Sequence, residues 1–159
     1  GFEIGRLLRQ NFFGTYVDAG AQCLSACAIA FMHGRVAAFE FFTPQRVLHP
    51  AGQLGFHAPS LRLAGAGDDL VPLALVDAAY GAALKTLSSL VDGAISGSGS
   101  YDIVPLDLLS EMLATPSDQM RNVETLRDAF KWKIDIHPHG LRAPQSFDLD
   151  VGHYPPIRS

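Results

Sequence analysis

A serine hydroxyl becomes a nucleophile near neutral pH only when a base removes its proton. One serine and one histidine of this chain stand in settings that suit the two roles. Ser25 lies at the entrance to an apolar run of small residues, within Ala21-Gln22-Cys23-Leu24-Ser25-Ala26-Cys27-Ala28-Ile29-Ala30-Phe31-Met32-His33-Gly34. His57 ends the apolar segment Leu54-Gly55-Phe56-His57, which Ala58 and Pro59 follow. A hydroxyl at a turn into a helix sits beside backbone N–H groups that have no intrahelical acceptor, so negative charge developing there is stabilised. Taken alone, Ser25 reads as a helix cap and His57 as a core histidine bonded to backbone. The buried run behind the serine and the strand ending on the histidine favour the chemical reading.

The other candidates carry less. His33 and His49 neighbour turns. His137-Pro138-His139 suggests a metal at first sight, but no Cys or carboxylate set stands at a ligand spacing, so neither a metal nor a cofactor is expected. Cys23 and Cys27 flank the serine four apart, not with the two-residue gap of a redox or zinc pair. In a regular helix such positions have Cβ atoms about 5–6 Å apart, beyond the ~3.5–4.5 Å of a disulfide. A bridge becomes feasible if Cys23 precedes the helix; two buried thiols are the other outcome.

The elements that must position these groups follow from periodicity. Ile4, Leu7 and Leu8 recur at helical spacing opposite Glu3, Arg6 and Arg9, and Thr15-Tyr16-Val17 has strand composition. Residues Ala26 to Met32 are all apolar, which suits a helix buried on all sides, and Gly34 stops it. Val36 to Phe42 is β-prone, Val47 to Gly52 reads as a turn region, and Leu54 to His57 as a buried strand. Ser60 to Asp69 is a Gly/Ala-rich loop. Leu73, Val76, Tyr80, Leu84, Leu87 and Val91 recur at steps of three and four, predicting a long amphipathic helix. Ser96 to Ser100 reads as a flexible linker, and Pro105 opens a short helix through Met112. A helix over Val123 to Phe130 leads into a strand at Lys133 to Ile136. The Pro-rich tail beyond Pro138 is expected at the surface.

Composition bounds the class. The chain has 159 residues, 48% hydrophobic and 18% charged, which predicts one ordered domain with a substantial core. A net charge of −4, with twelve Lys and Arg scattered singly, argues against nucleic acid as a partner. No apolar run approaches the ~18 residues that span a bilayer.

Gly5-Arg6-Leu7-Leu8-Arg9, Cys23-Leu24-Ser25-Ala26-Cys27-Ala28 and Leu54-Gly55-Phe56-His57 together resemble the Clp-protease-like periplasmic proteins of bacteria, a branch of the Clp protease proteolytic subunit and crotonase superfamily. The similarity runs from Gly1 to Ile136, with 137–159 left as a tail. It implies an α/β fold, a superhelix of stacked β-α-β units, whose first strand and Gly-Gly turn lie upstream of Gly1. It further implies Ser25 as nucleophile, His57 as general base and the Ala26 N–H as oxyanion donor. Aligning Met112 to Pro116 with the family places the third triad member at Asp107, with Asp102 as fallback. The stretch between serine and histidine is longer than in the Clp subunit because of an insertion from Ala37 to Pro50. A peptide or protein substrate, a homo-oligomer and a periplasmic or secreted location are the further implications, and an oxidising compartment would favour a Cys23–Cys27 bridge. The alternative is a non-catalytic member of the same fold acting as an envelope interaction or scaffold protein.

Overall fold

The computed structural model describes residues 1–38, 41–59, 72–95 and 103–137. The expected loop at 60–69, the linker at 96–100, Asp102 and the tail beyond His137 lie outside the described residues. Among those described, the chain is mixed α/β, with five helices and eight short strands in small sheets. It divides into two compact units, Gly1–Phe56 with Met120–Ser159, and His57–Gln119.

The first unit opens with α1 (Phe2–Gln10) and β1 (Thr15–Val17), followed by β2 (Gln22–Leu24) and α2 (Ala26–Phe31). An antiparallel hairpin of β3 (Arg35–Ala38) and β4 (Phe41–Pro44) comes next, then β5 (Arg46–Leu48) and β6 (Gln53–Phe56). β7 (Arg121–Asn122), α5 (Leu126–Lys131) and β8 (Asp135–Ile136) complete it. β1, β5 and β8 form one parallel sheet. β2 pairs parallel with β6, which pairs antiparallel with β7. The parallel pairs β1–β5 and β2–β6 each take a strand before α2 and a strand after it, so α2 belongs to a crossover, as parallel pairing requires.

The region expected as a turn from Val47 to Gly52 is corrected in its first part. Val47 and Leu48 belong to β5, the central strand of its sheet, and both are buried. A three-residue parallel strand is buried on both faces and shows no alternation, so Pro50 and Gly52 dominate its local signal. α2 is buried from Ala28 onward, whereas Ala26 and Cys27 are exposed, so it is not buried on all sides. In α1 the apolar stripe is likewise not the buried face. Ile4 and Leu7 are exposed and Gly5 is the buried residue. A Cβ on Gly5 would overlap the His33 imidazole, so glycine sets how closely α1 lies on the end of α2.

The core beneath the second sheet centres on Phe56 and Trp132, both buried, with rings edge to face at 5.9 Å. Arg121 lays its guanidinium 4.9 Å from the Trp132 ring centre and pairs with Asp128 at 2.9 Å.

The second unit contains α3 (Leu73–Ile95) and α4 (Leu106–Ala114). Pro105 is the N-cap of α4, and Leu108, Leu109 and Met112 are buried. α3 matches the predicted long helix, yet Leu73, Val76, Tyr80, Leu84 and Val91 of its apolar stripe are exposed. No described helix is long and apolar enough to cross a membrane.

Candidate active site

Ser25 is the single residue between β2 and α2, and its backbone is unusual. Its φ of 56° and ψ of −118° fall in a left-handed region that a residue with a Cβ rarely occupies. Such a conformation costs about 1–3 kcal/mol and persists only where the surroundings over-determine it. The surroundings here are identifiable. β2 and β6 align Leu24 with Gly55, and the Ser25 N–H extends that ladder by donating to the Gly55 carbonyl at 2.9 Å. The Ser25 carbonyl accepts from the Ile29 N–H at 3.1 Å, which starts α2. The chain therefore turns sharply from strand into helix within one residue.

Gly55 is tightly enclosed, because a Cβ there would fall 2.5 Å from the Asn122 and Met120 side chains and 3.0 Å from Leu24. The glycine lets β6 run against β2 and β7 at once. At the far end of α2, the Thr15 hydroxyl donates to the Phe31 carbonyl at 2.7 Å, and a Cβ on Gly34 would overlap the Thr15 side chain. Ser25 is thus the start of a short helix fixed at both ends to strands.

The Ser25 side chain makes no capping hydrogen bond although it occupies the N-cap position. Its hydroxyl therefore does not serve the role that a serine there most often has. Ala26, the next residue, takes the first helical position, whose N–H has no acceptor within the helix. A residue missed by sequence reasoning is Gly1. It is the N-cap of α1, and a Cβ on it would meet the Ala26 carbonyl oxygen at 2.5 Å. Only a glycine allows that approach, and nothing local to Gly1 in the sequence signals it.

The two cysteines are joined. Cys23 lies on β2, before the helix, and Cys27 lies in the first turn of α2, with Cα atoms 5.1 Å apart across a disulfide. Of the two outcomes left open by the spacing, the structure has the bridge.

His57 follows β6 directly and is half-buried in the second unit. Its Nδ1 donates to the Ala58 carbonyl at 2.6 Å. A carbonyl can only accept, so this bond puts the proton on Nδ1 and leaves Nε2 of the neutral ring as an acceptor. Ala58 is held in turn, its N–H donating to the Thr115 carbonyl at the end of α4 at 2.9 Å. Asp107 is exposed in the first turn of that helix, about 12 Å along its axis from the end that holds Ala58. The orienting bond that a triad aspartate would make to Nδ1 is made by a backbone carbonyl. Among the described residues no group of His, Cys, Asp and Glu is placed to hold a metal ion.

His33 is buried and has a different character. Its Nδ1 donates to the Ile29 carbonyl at 2.8 Å, and Phe2 meets its ring edge to face at 6.1 Å. Burial pushes its pKa below the usual imidazole value; the Ile29 bond opposes this, while Arg46 and Arg9 add to it. It is a buried packing group at the end of α2.

No protein-family model, curated protein or solved structure matches this chain significantly.

Proposed function

We infer that this protein is a serine hydrolase, most simply a peptidase, with Ser25 as nucleophile and His57 as general base. One observation carries the reading: a serine held in a strained strand-to-helix turn with a hydroxyl that caps nothing. Turns of this kind present nucleophiles in hydrolases, because the strain lifts the side chain clear of both flanking elements. In the proposed reaction His57 Nε2 takes the Ser25 Oγ proton as the oxygen attacks an acyl carbon, and then returns the proton to the leaving amine or alcohol. The Ala26 N–H is the donor proposed for the tetrahedral oxyanion. The Ala58 carbonyl holds the imidazole in the required tautomer, and Asp107 is the third member that the resemblance implies.

The resemblance to Clp-protease-like periplasmic proteins supports the same reading and adds a β-α-β superhelix and an envelope location. The Cys23–Cys27 bridge is consistent with that location, since disulfides persist in oxidising compartments. A fluorophosphonate probe tests the chemistry, because it reacts with a hydroxyl whose proton a neighbouring base removes. Covalent labelling at Ser25, lost in Ser25→Ala and in His57→Ala, is the expected result. A folded protein that stays unlabelled in its full-length form would remove the hydrolase reading.

A second reading, a non-catalytic interaction or scaffold protein of the same fold, is favoured by α3. Its exposed Leu73, Val76, Tyr80 and Leu84 share one face of the helix, and exposed apolar faces are of the kind that mark association sites. Absence of labelling, together with self-association lost on Tyr80→Glu, would establish that alternative.

A further inference from the structure

We propose that the Cys23–Cys27 disulfide is the positioning device that holds Ser25 in its reactive turn, so that nucleophile geometry depends on the bridge being closed. This rests on the hydrolase reading of Ser25. The argument begins with distance. A continuous strand would carry residues 23 and 27 about 13 Å apart. A continuous helix would leave their Cβ atoms about 5–6 Å apart, outside the ~3.5–4.5 Å that a disulfide spans. Neither regular element accommodates the bridge, which here holds the two Cα atoms 5.1 Å apart. It arises because the chain changes from strand to helix at Ser25, midway between the two cysteines.

The same arrangement appears in hydrolase elbows, where the positions two before and two after the serine are commonly glycine. Here those two positions are covalently joined. The two backbone bonds of Ser25, to Gly55 and Ile29, fix one side of the turn each. The disulfide is a covalent link that spans both sides. Without it, the two bonds loosen as the backbone between them relaxes toward an ordinary cap conformation with negative φ, which swings the hydroxyl onto the helix N–H groups. Cys23 is buried and Cys27 exposed, so the bridge is anchored in the core yet open to a small reductant from one side.

Opening the bridge is a two-electron step. With a trialkyl phosphine the S–S bond breaks, the phosphine becomes the phosphine oxide with oxygen from water, and both sulfurs leave as thiols. Reoxidation returns two electrons and two protons to the oxidant.

The test measures fluorophosphonate labelling of the whole chain before and after phosphine reduction, and in Cys23→Ala/Cys27→Ala. Amide exchange is followed in parallel at Ser25 and Ile29 and, as a control for the core, at Leu48. Reduction is expected to slow labelling by on the order of 10²-fold, the penalty typical of a nucleophile misplaced by about 1 Å. Exchange at Ser25 and Ile29 should rise while Leu48 stays protected, reoxidation should restore the rate, and the double variant should be slow and indifferent to phosphine. Equal labelling of oxidised and reduced protein overturns the positioning role while leaving the hydrolase reading intact. If neither form is labelled, the hydrolase reading falls, and unchanged exchange at Ser25 and Ile29 then overturns the positioning role as well. Loss of protection at Leu48 in both the reduced protein and the double variant would make the bridge a general staple and likewise overturn the proposal.

Discussion

Two of the described helices begin on a hydroxyl residue, and the two hydroxyls are used in opposite ways. Thr125 starts α5 in an extended conformation, φ −129° and ψ 155°, and its side chain accepts the Asp128 N–H at 3.0 Å. Asp128 returns the bond, its carboxylate accepting the Thr125 N–H at 3.2 Å. This reciprocal box satisfies two donors that the helix itself leaves open. Ser25 starts α2 at φ 56° and makes no such bond. An unstrained backbone lets a hydroxyl stabilise its helix, whereas a left-handed one directs it elsewhere at a cost in stability. The residue type is the same in both places for purposes of propensity, so the use is set by the backbone.

The sharpest way to break this comparison is through reactivity. Ser25→Ala and His57→Ala are each expected to lower fluorophosphonate labelling by about 10³-fold or more, since groups that act as a unit fail together. Thr125→Ala should leave the rate unchanged, and so should Asp107→Ala if Ala58 is what orients the imidazole. A rate that survives Ser25→Ala would make the two hydroxyls alike.

Packing around the two helices gives the next effect. Gly5→Ala drives a Cβ into the buried His33 ring at the end of α2, and such overpacking costs about 1–3 kcal/mol. Urea unfolding would read it as a lower midpoint. An unchanged midpoint would show that α1 can move off α2 without penalty.

Capping comes third. Thr125→Ala should cost about 1 kcal/mol in the same measurement, and Ser25→Ala close to nothing, because only the first removes a capping bond. Ser25→Gly should even raise stability, by up to about 1 kcal/mol, because glycine occupies the left-handed region without strain. A loss on Ser25→Ala equal to that on Thr125→Ala would mean that the serine hydroxyl does cap α2.

The smallest effects are in pH. At α5, burial raises the Asp128 pKa, but hydrogen bonds from Arg121, Thr125 and the Glu124 backbone outweigh it and hold the carboxyl below its ordinary 3.8. A depressed carboxyl binds fewer protons folded than unfolded, so its contribution is complete above about pH 3.8 and is lost as pH falls through the folded value. At α2, burial holds His33 below its ordinary 6.5. By the same sign, the unfolded chain binds the extra proton first, and this contribution is lost as pH falls from 6.5 through the folded value. Urea midpoints across pH should therefore fall in two separate windows. Asp128→Asn should flatten the acidic window and His33→Gln the upper one, and a single window unaffected by His33→Gln would refute the second assignment.

Much of the local structure was legible. The long periodicity from Leu73, the opening of α4 at Pro105, and the approach to Ser25 through small residues all correspond to observed elements. β2, β5 and β7 were not read, because strands of two or three residues carry too few positions for a pattern and owe their existence to partners distant in sequence. The α3 stripe shows the converse: its period was plain, but period alone does not say whether a face is covered. Gly5 was legible only as part of the segment Gly5-Arg6-Leu7-Leu8-Arg9, since its use depends on where His33 comes to lie.

The site divides along the same line. The amino-acid sequence by itself determined that Ser25 enters a helix, that His57 ends a strand and that two cysteines flank the serine. Those facts depend on neighbours a few residues away. The tertiary structure decided that Ser25 is left-handed with a hydroxyl that caps nothing, that Cys23 and Cys27 are bridged, and that His57 Nδ1 bonds the Ala58 carbonyl. Each of these depends on a distant partner. β2 takes its direction from β6, about thirty residues on, and Ala58 is fixed by Thr115 at the end of α4. A backbone dihedral at a junction is set by the directions of the two elements it joins, and those directions come from packing rather than propensity.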